Sequence, residues 1–301
     1  MQFIDELVRI AGEKNVLTDE SMKRHTTFRV GGKADYYVMP DSKEALRDIL
    51  LLCRSRNIKY YIVGNGSNLL VGDKGIRGVV INTSAKMNNV YVKGNVITAQ
   101  TGCTLAKAAR HALNADLTGM EFSAGIPGTV GGAVVMNAGA YGSDISHIIT
   151  EAAVLTSEGE FKVLSRDELE LGYRTSCIAK NGYIVVEAAF ELKPGNHDDI
   201  AAYMEELAVR RREKQPLEYP SAGSTFKRPE GYFAGKLIMD SGLAGLRVGG
   251  ASISAKHCGF VINDMNGTAE DILKLCDETV RIVKEKYNVS LEMEIKRVGE
   301  F

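Results

Sequence analysis

The feature that most constrains the fold is a pair of glycine-rich segments in the first half of the chain. The first is Gly64-Asn65-Gly66-Ser67-Asn68, and the second extends over residues 125–142. Glycine contributes 31 of 301 residues, about a tenth, against an average of about 7%. Backbone without Cβ atoms can approach a large flat ligand closely. We therefore expect a binding surface in both segments, with a tight turn and a flexible linker as the respective alternatives.

Composition excludes several classes of protein. The chain has 37 Lys and Arg residues, 38 Asp and Glu residues and a formal charge of -1, which argues against nucleic acid as the main partner. Its five cysteines are widely spaced and lack zinc-site spacing, so we expect reduced thiols and no metal. No apolar run approaches the roughly 20 residues of a membrane span. A cytoplasmic protein of about two or three domains is expected.

Hydrophobic periodicity predicts mixed helices and strands. One helix is predicted over residues 41–56 with a capping box formed by Asp41 and Glu44, and another begins at the cap Thr104. Further helices are predicted over 198–214 and 268–287, and strands over 60–63, 79–81, 90–92, 96–99, 184–192 and 289–298. The tripeptide Pro194-Gly195-Asn196 is the clearest candidate linker.

The first glycine segment superficially matches the dinucleotide-binding fingerprint. Leu69 occupies the position of the third glycine, and Gly72-Asp73-Lys74-Gly75 would break the helix that should follow. Successive backbone N–H groups in such a turn can still converge on an anion such as a pyrophosphate. Two separate glycine surfaces suit a dinucleotide such as FAD better than a mononucleotide.

Three motifs carry a resemblance to a known family. They are the segment 64–70, the segment Gly125-Ile126-Pro127-Gly128-Thr129-Val130-Gly131-Gly132, and Asn137-Ala138-Gly139-Ala140-Tyr141-Gly142. They resemble the FAD-binding segments of the UDP-N-acetylenolpyruvoylglucosamine reductase family, and the resemblance continues in order from residue 25 to residue 300. The chain resembles the shorter subtype of this family, which lacks an inserted tyrosine loop, because the spacing from Gly231 to Gly267 leaves little room for such an insertion.

The resemblance implies an α+β fold with a two-lobed FAD-binding domain of the p-cresol methylhydroxylase type and a smaller α+β substrate-binding domain. Residues 1–80 would form the first lobe, 81–195 the second and 196–290 the substrate domain, with a strand at 291–301 returning near the active site. The implied cofactor-binding residues are Val63, Gly64, Asn65, Gly66, Ser67, Asn68, Ile126, Gly128, Thr129, Gly132 and Ala133.

The implied reaction has NADPH reduce FAD, after which the enolpyruvyl ether of UDP-N-acetylglucosamine is reduced to UDP-N-acetylmuramate, a peptidoglycan precursor. The motifs imply Arg174, Ser224 and Glu294 as catalytic residues. Hydride addition leaves negative charge on an enediolate, which Arg174 and a protonated Glu294 would stabilise while Ser224 donates the proton. Without the resemblance, the sequence favours a surface cation for Arg174, a turn residue for Ser224 and a solvated strand carboxylate for Glu294. Glu292 lies on the same strand face as Glu294, so the strand pattern does not choose between them.

For several other residues the sequence leaves two roles possible. Lys227 and Arg228 could neutralise the UDP diphosphate, or form a surface salt-bridged pair. His257 and Asn263 lie in another family-like stretch, and His257 is expected to be structural or to contact substrate. We expect a monomer with no membrane partner, whereas a preference for NADPH over NADH cannot be predicted. The competing hypotheses are an FAD oxidase or dehydrogenase acting on another donor, and a non-catalytic module that binds flavin or a nucleotide sugar.

Overall fold

The computed structural model describes residues 2–301 and divides into two compact units. Unit 1 comprises the residues up to Thr18, Tyr36–Asn65 and Gly78–Arg210. Unit 2 comprises Asp19–Asp35, Gly66–Arg77 and Arg211–Phe301. The chain therefore passes from one unit to the other five times, and neither unit is a single stretch of sequence.

Helices and strands alternate irregularly, as in an α+β protein. The α-helices of the described residues are α1 (Phe3–Ala11), α2 (Lys43–Ser55), α3 (Leu105–Asn114), α4 (Val130–Met136), α5 (Cys177–Asn181), α6 (His197–Lys214), α7 (Ala234–Asp240) and α8 (Ala269–Tyr287). None of these helices is both long enough and apolar enough to cross a membrane. The strands are β1 (Val16–Ser21), β2 (Lys33–Val38), β3 (Tyr60–Val63), β4 (Leu69–Val71), β5 (Ile76–Asn82), β6 (Val90–Lys93), β7 (Val96–Gln100), β8 (Leu117–Thr118), β9 (Gly139–Ala140), β10 (Ser143–Asp144), β11 (Ile149–Leu155), β12 (Phe161–Ser165), β13 (Ile184–Glu191), β14 (Lys193–Pro194), β15 (Arg247–Val248), β16 (Ala251–Ile253), β17 (Val261–Asn263) and β18 (Lys296–Val298).

Unit 1 is built on an antiparallel five-stranded sheet in the order β12-β11-β13-β7-β6. Two hydrophobic clusters share its central strand β13: Val185 and Phe190 belong to one, and Ile184 and Val186 to the other. The first cluster includes residues of α3 and α4, and the second includes residues of α2 and β5. A strand buried on both faces is apolar at successive positions, which explains the run Ile184-Val185-Val186.

Unit 2 packs α7 and α8 with a small sheet in the order β15-β16-β17. Helix α8 buries one face, including Ile272, Leu275 and Val283, and each such side chain contributes about 1.5–3 kcal/mol on burial. Thr268 caps the helix and forms a capping box with Asp271. In the same unit, β4 and β18 pair in parallel from Leu69 with Lys296 to Val71 with Val298.

Several elements confirm the sequence predictions, and three need correction. Thr104 caps its helix as expected, and Thr268, predicted as the first residue of the last helix, is the cap that precedes it. The cap of α2 is Ser42, whose hydroxyl accepts from the Ala45 N–H, because Ser and Asp are comparable caps and the sequence alone cannot choose between them. The segment 125–142 contains the short helix α4, which we did not predict. Of the predicted strand over 289–298, only β18 is a regular strand. The residues before β18 form a loop with a single isolated bridge, between Met293 and Phe226.

The two units are divided differently from the predicted domains 1–80, 81–195 and 196–290. Phe28, Val30 and Leu70 belong to the hydrophobic cluster of unit 2, so two early segments group with the C-terminal third of the chain. Unit 1 extends through Pro194-Gly195-Asn196 to Arg210, and β14 pairs with β8 there. The candidate linker is therefore not a boundary between the units.

All five cysteines are free and buried. Burial raises the pKa of Cys53 and that of Cys276 to about 12, so both are neutral core thiols at physiological pH. Among residues 2–301, no group of three or more His, Cys, Asp or Glu side chains could hold a metal ion.

Candidate active site

The first glycine segment is a sharp turn between two strands. It follows β3 and leads into β4, so no helix follows it and the classical dinucleotide-binding motif is excluded, as predicted. Gly66 has a φ of +61°, and a Cβ atom there would lie 2.0 Å from the backbone oxygen of His25. Only glycine fits this position.

The turn presents unused backbone donors. Among the described residues, no acceptor receives a hydrogen bond from the N–H groups of Asn65, Gly66, Ser67 or Asn68. Four consecutive donors around a left-handed glycine are the arrangement that forms an anion nest. These residues are half-buried except for Gly66, which is buried. The segment therefore has the donors for a phosphate group that the sequence led us to expect.

Asn82 fixes this turn and was not predicted as a site residue from the sequence. Its Nδ2 donates to the Gly64 carbonyl at 3.0 Å, and its Oδ1 accepts from the Ser84 hydroxyl and the Ala85 N–H, each at 3.0 Å. The side chain is buried. A polar residue at the end of the apolar strand β5, which runs parallel to β3, was the available sequence signal.

The second glycine segment contacts the first within unit 1. The Asn65 Nδ2 donates to the Pro127 carbonyl at 3.0 Å. A Cβ atom on Gly64 would lie 2.4 Å from Thr129 Oγ1, so the absence of a side chain at Gly64 permits this approach. The two segments singled out from the sequence are thus brought together.

Backbone donors at the start of α4 are used internally. The N–H of Val130 donates to Cys103 and that of Gly131 to Thr101, both at 2.8 Å, while that of Gly132 donates to Thr129 Oγ1 at 3.4 Å. Gly132 is exposed, whereas Thr129 and Ala133 are buried. This segment consequently offers close backbone approach rather than an anion nest. The remaining cofactor candidates are Val63, which is buried, and Ile126 and Gly128, which are half-buried.

Arg174 lies in a tight turn of unit 1. Gly172 and Thr175 close the turn through two backbone hydrogen bonds of 3.1 and 3.3 Å. The Gly172 carbonyl also accepts from Asn137 Nδ2 at 3.2 Å, which ties the turn to the end of α4. Arg174 has a φ of +55°, and its guanidinium lies 5.1 Å from the centre of the Tyr173 ring. An arginine in the left-handed backbone conformation destabilises the folded state by about 1–2 kcal/mol. Residues with such strained backbone are concentrated at functional sites.

Ser224 and Glu294 lie on neighbouring segments of unit 2. The Glu294 N–H donates to the Thr225 carbonyl at 2.8 Å, beside an antiparallel bridge between Phe226 and Met293. Thr225 is fully buried, and its hydroxyl accepts from the Val261 N–H at 2.9 Å. Ser224 is exposed. Of these two adjacent hydroxyl groups, the one on Thr225 supports the loop, whereas the one on Ser224 can reach a ligand.

The structure distinguishes Glu294 from Glu292. Glu292 is exposed and forms an ion pair with Lys227. Glu294 is half-buried, and its carbonyl accepts from Asn68 Nδ2 at 3.2 Å. The backbone of Glu294 is therefore attached to the end of the glycine turn, which Glu292 does not contact in this way.

Lys227 and Arg228 have different partners, and Lys227 is salt-bridged at the surface. The partner of Lys227 is Glu292, and the Arg228 guanidinium lies 4.0 Å from the centre of the exposed Phe233 ring. Arg228 Nε also donates to the Tyr232 carbonyl at 3.4 Å. Both cations are thus held by partners on unit 2, and both reach the surface at least in part.

His257 and Asn263 have structural hydrogen bonds. Burial lowers the pKa of His257, whose Nδ1 accepts from the Gly259 N–H at 3.1 Å. Asn263 donates to the Phe28 carbonyl at 2.9 Å and accepts from the Gly267 N–H at 2.6 Å. These contacts support the structural alternative for His257, because a neutral ring accepting a backbone hydrogen bond fixes the loop.

Comparison with known proteins agrees with this geometry. Residues 34–165 match the family described as FAD binding domain, and residues 215–298 match the C-terminal domain of UDP-N-acetylenolpyruvoylglucosamine reductase. The first match contains the glycine turn and α4, and the second contains Ser224 and Glu294. FAD is therefore the cofactor expected from the sequence and supported by the family match.

Solved structures confirm the predicted fold class. The UDP-N-acetylenolpyruvylglucosamine reductase from Thermus caldophilus superposes with a TM-score of 0.80 at 35% identity, covering 94% of this chain and 98% of that protein. Phl p 4, a grass pollen allergen with glucose dehydrogenase activity, has a TM-score of 0.53 at 15% identity and covers 65% of this chain and 45% of its own. That second likeness concerns the fold alone.

Among curated relatives, the UDP-N-acetylenolpyruvoylglucosamine reductase of Clostridium novyi is 52% identical over 295 residues, which is 98% of this chain and 96% of that protein. The reductase of the same description from Geobacillus kaustophilus is 48% identical and covers 99% of this chain and 98% of its own length. Since the identity is this high over nearly the whole chain, the protein belongs to the UDP-N-acetylenolpyruvoylglucosamine reductase family.

Proposed function

We propose that this chain is an NADPH-dependent flavoenzyme that reduces the enolpyruvyl ether of UDP-N-acetylglucosamine to UDP-N-acetylmuramate for peptidoglycan synthesis. The observation that carries the proposal is the Asn68 contact with Glu294, which joins a nest of free backbone donors to the segment bearing a candidate acid. Bound FAD would accept hydride from NADPH and supply it to the terminal methylene carbon of the ether. The residues of the chain would bind and orient the cofactor and the substrate, and would protonate the substrate.

The glycine turn would hold the FAD pyrophosphate. Its four free N–H groups supply hydrogen bonds to phosphate oxygens without a basic side chain. Ile126, Gly128 and the exposed Gly132 would contact an apolar face of the cofactor, since the donors at the start of α4 are already used. This surface would be supported from the protein interior by the buried residues Val63, Thr129 and Ala133.

Arg174 and Glu294 would stabilise the charge that develops on the substrate. The planar guanidinium of Arg174 offers two parallel donors to the substrate carboxylate. A protonated Glu294 would donate to the same group as the enediolate forms. The tight turn and the short antiparallel pairing hold these residues on backbone that is hydrogen-bonded on both sides.

Ser224 would deliver the proton to the carbon next to the carboxylate. Its exposed hydroxyl lies one residue before Thr225, whose buried side chain is committed to the Val261 N–H. An enediolate carbon is basic enough for a hydroxyl to serve as the acid, and a proton donor of this kind contributes about 10²–10⁴-fold to rate.

Replacing Ser224 tests this assignment. In Ser224→Ala, reduction of the flavin by NADPH should keep its rate, while reoxidation by the enolpyruvyl substrate should slow about 10²–10⁴-fold, because only the second half-reaction needs the proton. Stopped-flow absorbance separates the two steps.

The matched variant Thr225→Ser keeps the neighbouring hydroxyl and should leave both steps near the rates of the unmodified enzyme. Equal losses in both steps for Ser224→Ala would remove the proton-donor role.

Lys227 and Arg228 would neutralise the diphosphate of the substrate. Both lie just after Ser224, and the two negative charges of the diphosphate need only a few placed cations. We also propose a cytoplasmic location, where NADPH and nucleotide sugars are available, and a monomer. Light scattering of the purified protein tests the monomer directly.

A further inference from the structure

Lys227 and Glu292 stand opposite each other on the two segments that carry Ser224 and Glu294. The Lys227 N–H donates to the Glu292 carbonyl at 2.8 Å, on the other side of the Phe226 and Met293 bridge from the Glu294 hydrogen bond. Residues opposite each other in antiparallel backbone project their side chains to the same face. The Lys227 ammonium and the Glu292 carboxylate accordingly form an ion pair.

The two partners of this ion pair are buried to very different degrees. The Lys227 side chain is 27% exposed, whereas that of Glu292 is 70% exposed. Surface ion pairs of this kind contribute little to stability, so Glu292 can rotate into solvent at small cost. The ammonium therefore belongs to the more buried side chain of the pair, and the carboxylate to the more mobile, solvated one.

We infer that Glu292 is a displaceable counter-ion of Lys227, which competes with the diphosphate of the substrate for the same ammonium group. The inference rests on the proposed function, which assigns Lys227 to the diphosphate. Glu292 neutralises the cation in the free enzyme and gives way to the more highly charged ligand. Glu292 is thus a residue that sets substrate affinity through Lys227 and takes no part in the chemistry.

The alternative role for Glu292 is a permanent ion pair that aligns the segment carrying Ser224 with the segment carrying Glu294. The two roles predict opposite effects when the charge is removed. Loss of a structural ion pair would loosen the site and weaken ligand binding. Loss of a competing carboxylate would free the Lys227 ammonium and strengthen ligand binding. A neutral side chain of the same shape, in Glu292→Gln, distinguishes the two.

The experiment measures binding of UDP by titration calorimetry and steady-state kinetics with the enolpyruvyl substrate. For Glu292→Gln we expect the Kd for UDP and the KM for substrate to fall about threefold at low salt, as for a surface ion pair, with kcat and flavin reduction by NADPH unchanged. The gain should shrink at high salt because exposed charges are screened.

Three further variants complete the test. Lys227→Met should raise the Kd for UDP, and adding Glu292→Gln to it should produce no gain, because the competition needs the ammonium. Asp240→Asn removes an exposed ion pair with Lys236 elsewhere in unit 2 and should leave the Kd for UDP unchanged.

Two results would overturn the inference, and they differ in what they mean for the proposed function. If the unmodified protein binds UDP and turns over substrate but Glu292→Gln binds UDP no more tightly, the inference alone fails. If the unmodified protein neither binds UDP nor reoxidises its flavin with substrate, the proposed function fails and the inference fails with it.

Discussion

The two glycine-rich segments look alike in sequence but differ in what their backbones can offer a ligand. In the turn at 64–68, four N–H groups have no acceptor among the described residues. At the start of α4, the corresponding donors of Val130, Gly131 and Gly132 are already used by Cys103, Thr101 and Thr129. The first segment is therefore suited to charge, and the second to close contact with an uncharged surface.

This difference shows that a glycine run specifies close approach without specifying its chemistry. The hydrogen-bond partners decide the chemistry, and here they come from elsewhere in the chain, at Thr101 and Cys103. Substitutions in the two segments should therefore fail in different ways.

The largest effect is expected from Gly66→Ala. The added Cβ atom would lie 2.0 Å from the His25 oxygen in a left-handed conformation, so the nest must open. We expect purified protein with at least about tenfold less bound FAD, measured as the ratio of flavin to protein absorbance.

Gly94→Ala is the matched control for backbone strain. Gly94 has a φ of +57° with nothing within 4 Å of an added Cβ atom, so alanine there incurs the conformational cost of about 1–2 kcal/mol without the clash. It should retain FAD. Equal flavin content in both variants would contradict the role assigned to the turn.

A smaller loss is expected from Asn82→Ala. The variant removes the donor to the Gly64 carbonyl and the acceptor of the Ala85 N–H, both in partly buried hydrogen bonds, at a cost of about 1–3 kcal/mol. We expect about tenfold weaker FAD binding, measured by fluorescence titration of the flavin-free protein.

Asn88 provides the comparison for Asn82. Its side chain donates to the Ser84 carbonyl and does not contact the turn, so Asn88→Ala should bind FAD almost normally. If the two variants bind FAD equally well, Asn82 does not position the turn.

The smallest effect is expected from Gly132→Ala, and it should separate stability from binding. The added Cβ atom would be 3.6 Å from Thr129 Oγ1, an ordinary contact, and alanine within a helix is more stable by about 0.5–1 kcal/mol. The flavin-free protein should melt about 1–2 °C higher, while FAD binds about threefold more weakly because the exposed backbone is covered.

Gly131→Ala should behave in the opposite way in a melting experiment. Its Cβ atom would lie 2.1 Å from Thr101 Oγ1, so the protein should melt at a lower temperature. If Gly132→Ala leaves FAD affinity unchanged, α4 does not face the cofactor.

Local sequence patterns predicted the elements whose determinants are local. Thr104 caps α3 through its own side chain, and the apolar face of α8 follows its periodicity. Ser42 and Asp41 could not be separated, because either can cap a helix. The grouping of Phe28 and Leu70 with the C-terminal third depends on packing between residues far apart in sequence, which no local pattern encodes.

The assignment of the site residues stays a prediction. The motifs predict the glycine turn, Ser224 and Glu294 as site residues, and the structure joins Asn68 to Glu294 across 226 positions of sequence. Sequence alternation left Glu292 and Glu294 equivalent, whereas the structure separates them by exposure, by the ion pair of Glu292 with Lys227 and by the hydrogen bond from Asn68 to the Glu294 carbonyl. Asn82 was missed because its importance lies in a hydrogen bond to Gly64 that follows from the pairing of β3 with β5.

The most direct test of the central claim is anaerobic stopped-flow absorbance of the FAD-loaded enzyme. NADPH should bleach the visible flavin band, and the enolpyruvyl ether of UDP-N-acetylglucosamine should then restore it, with one UDP-N-acetylmuramate formed per flavin. The account would be contradicted if the reduced flavin persisted with this substrate and were reoxidised only by dioxygen, as in an oxidase of the same fold.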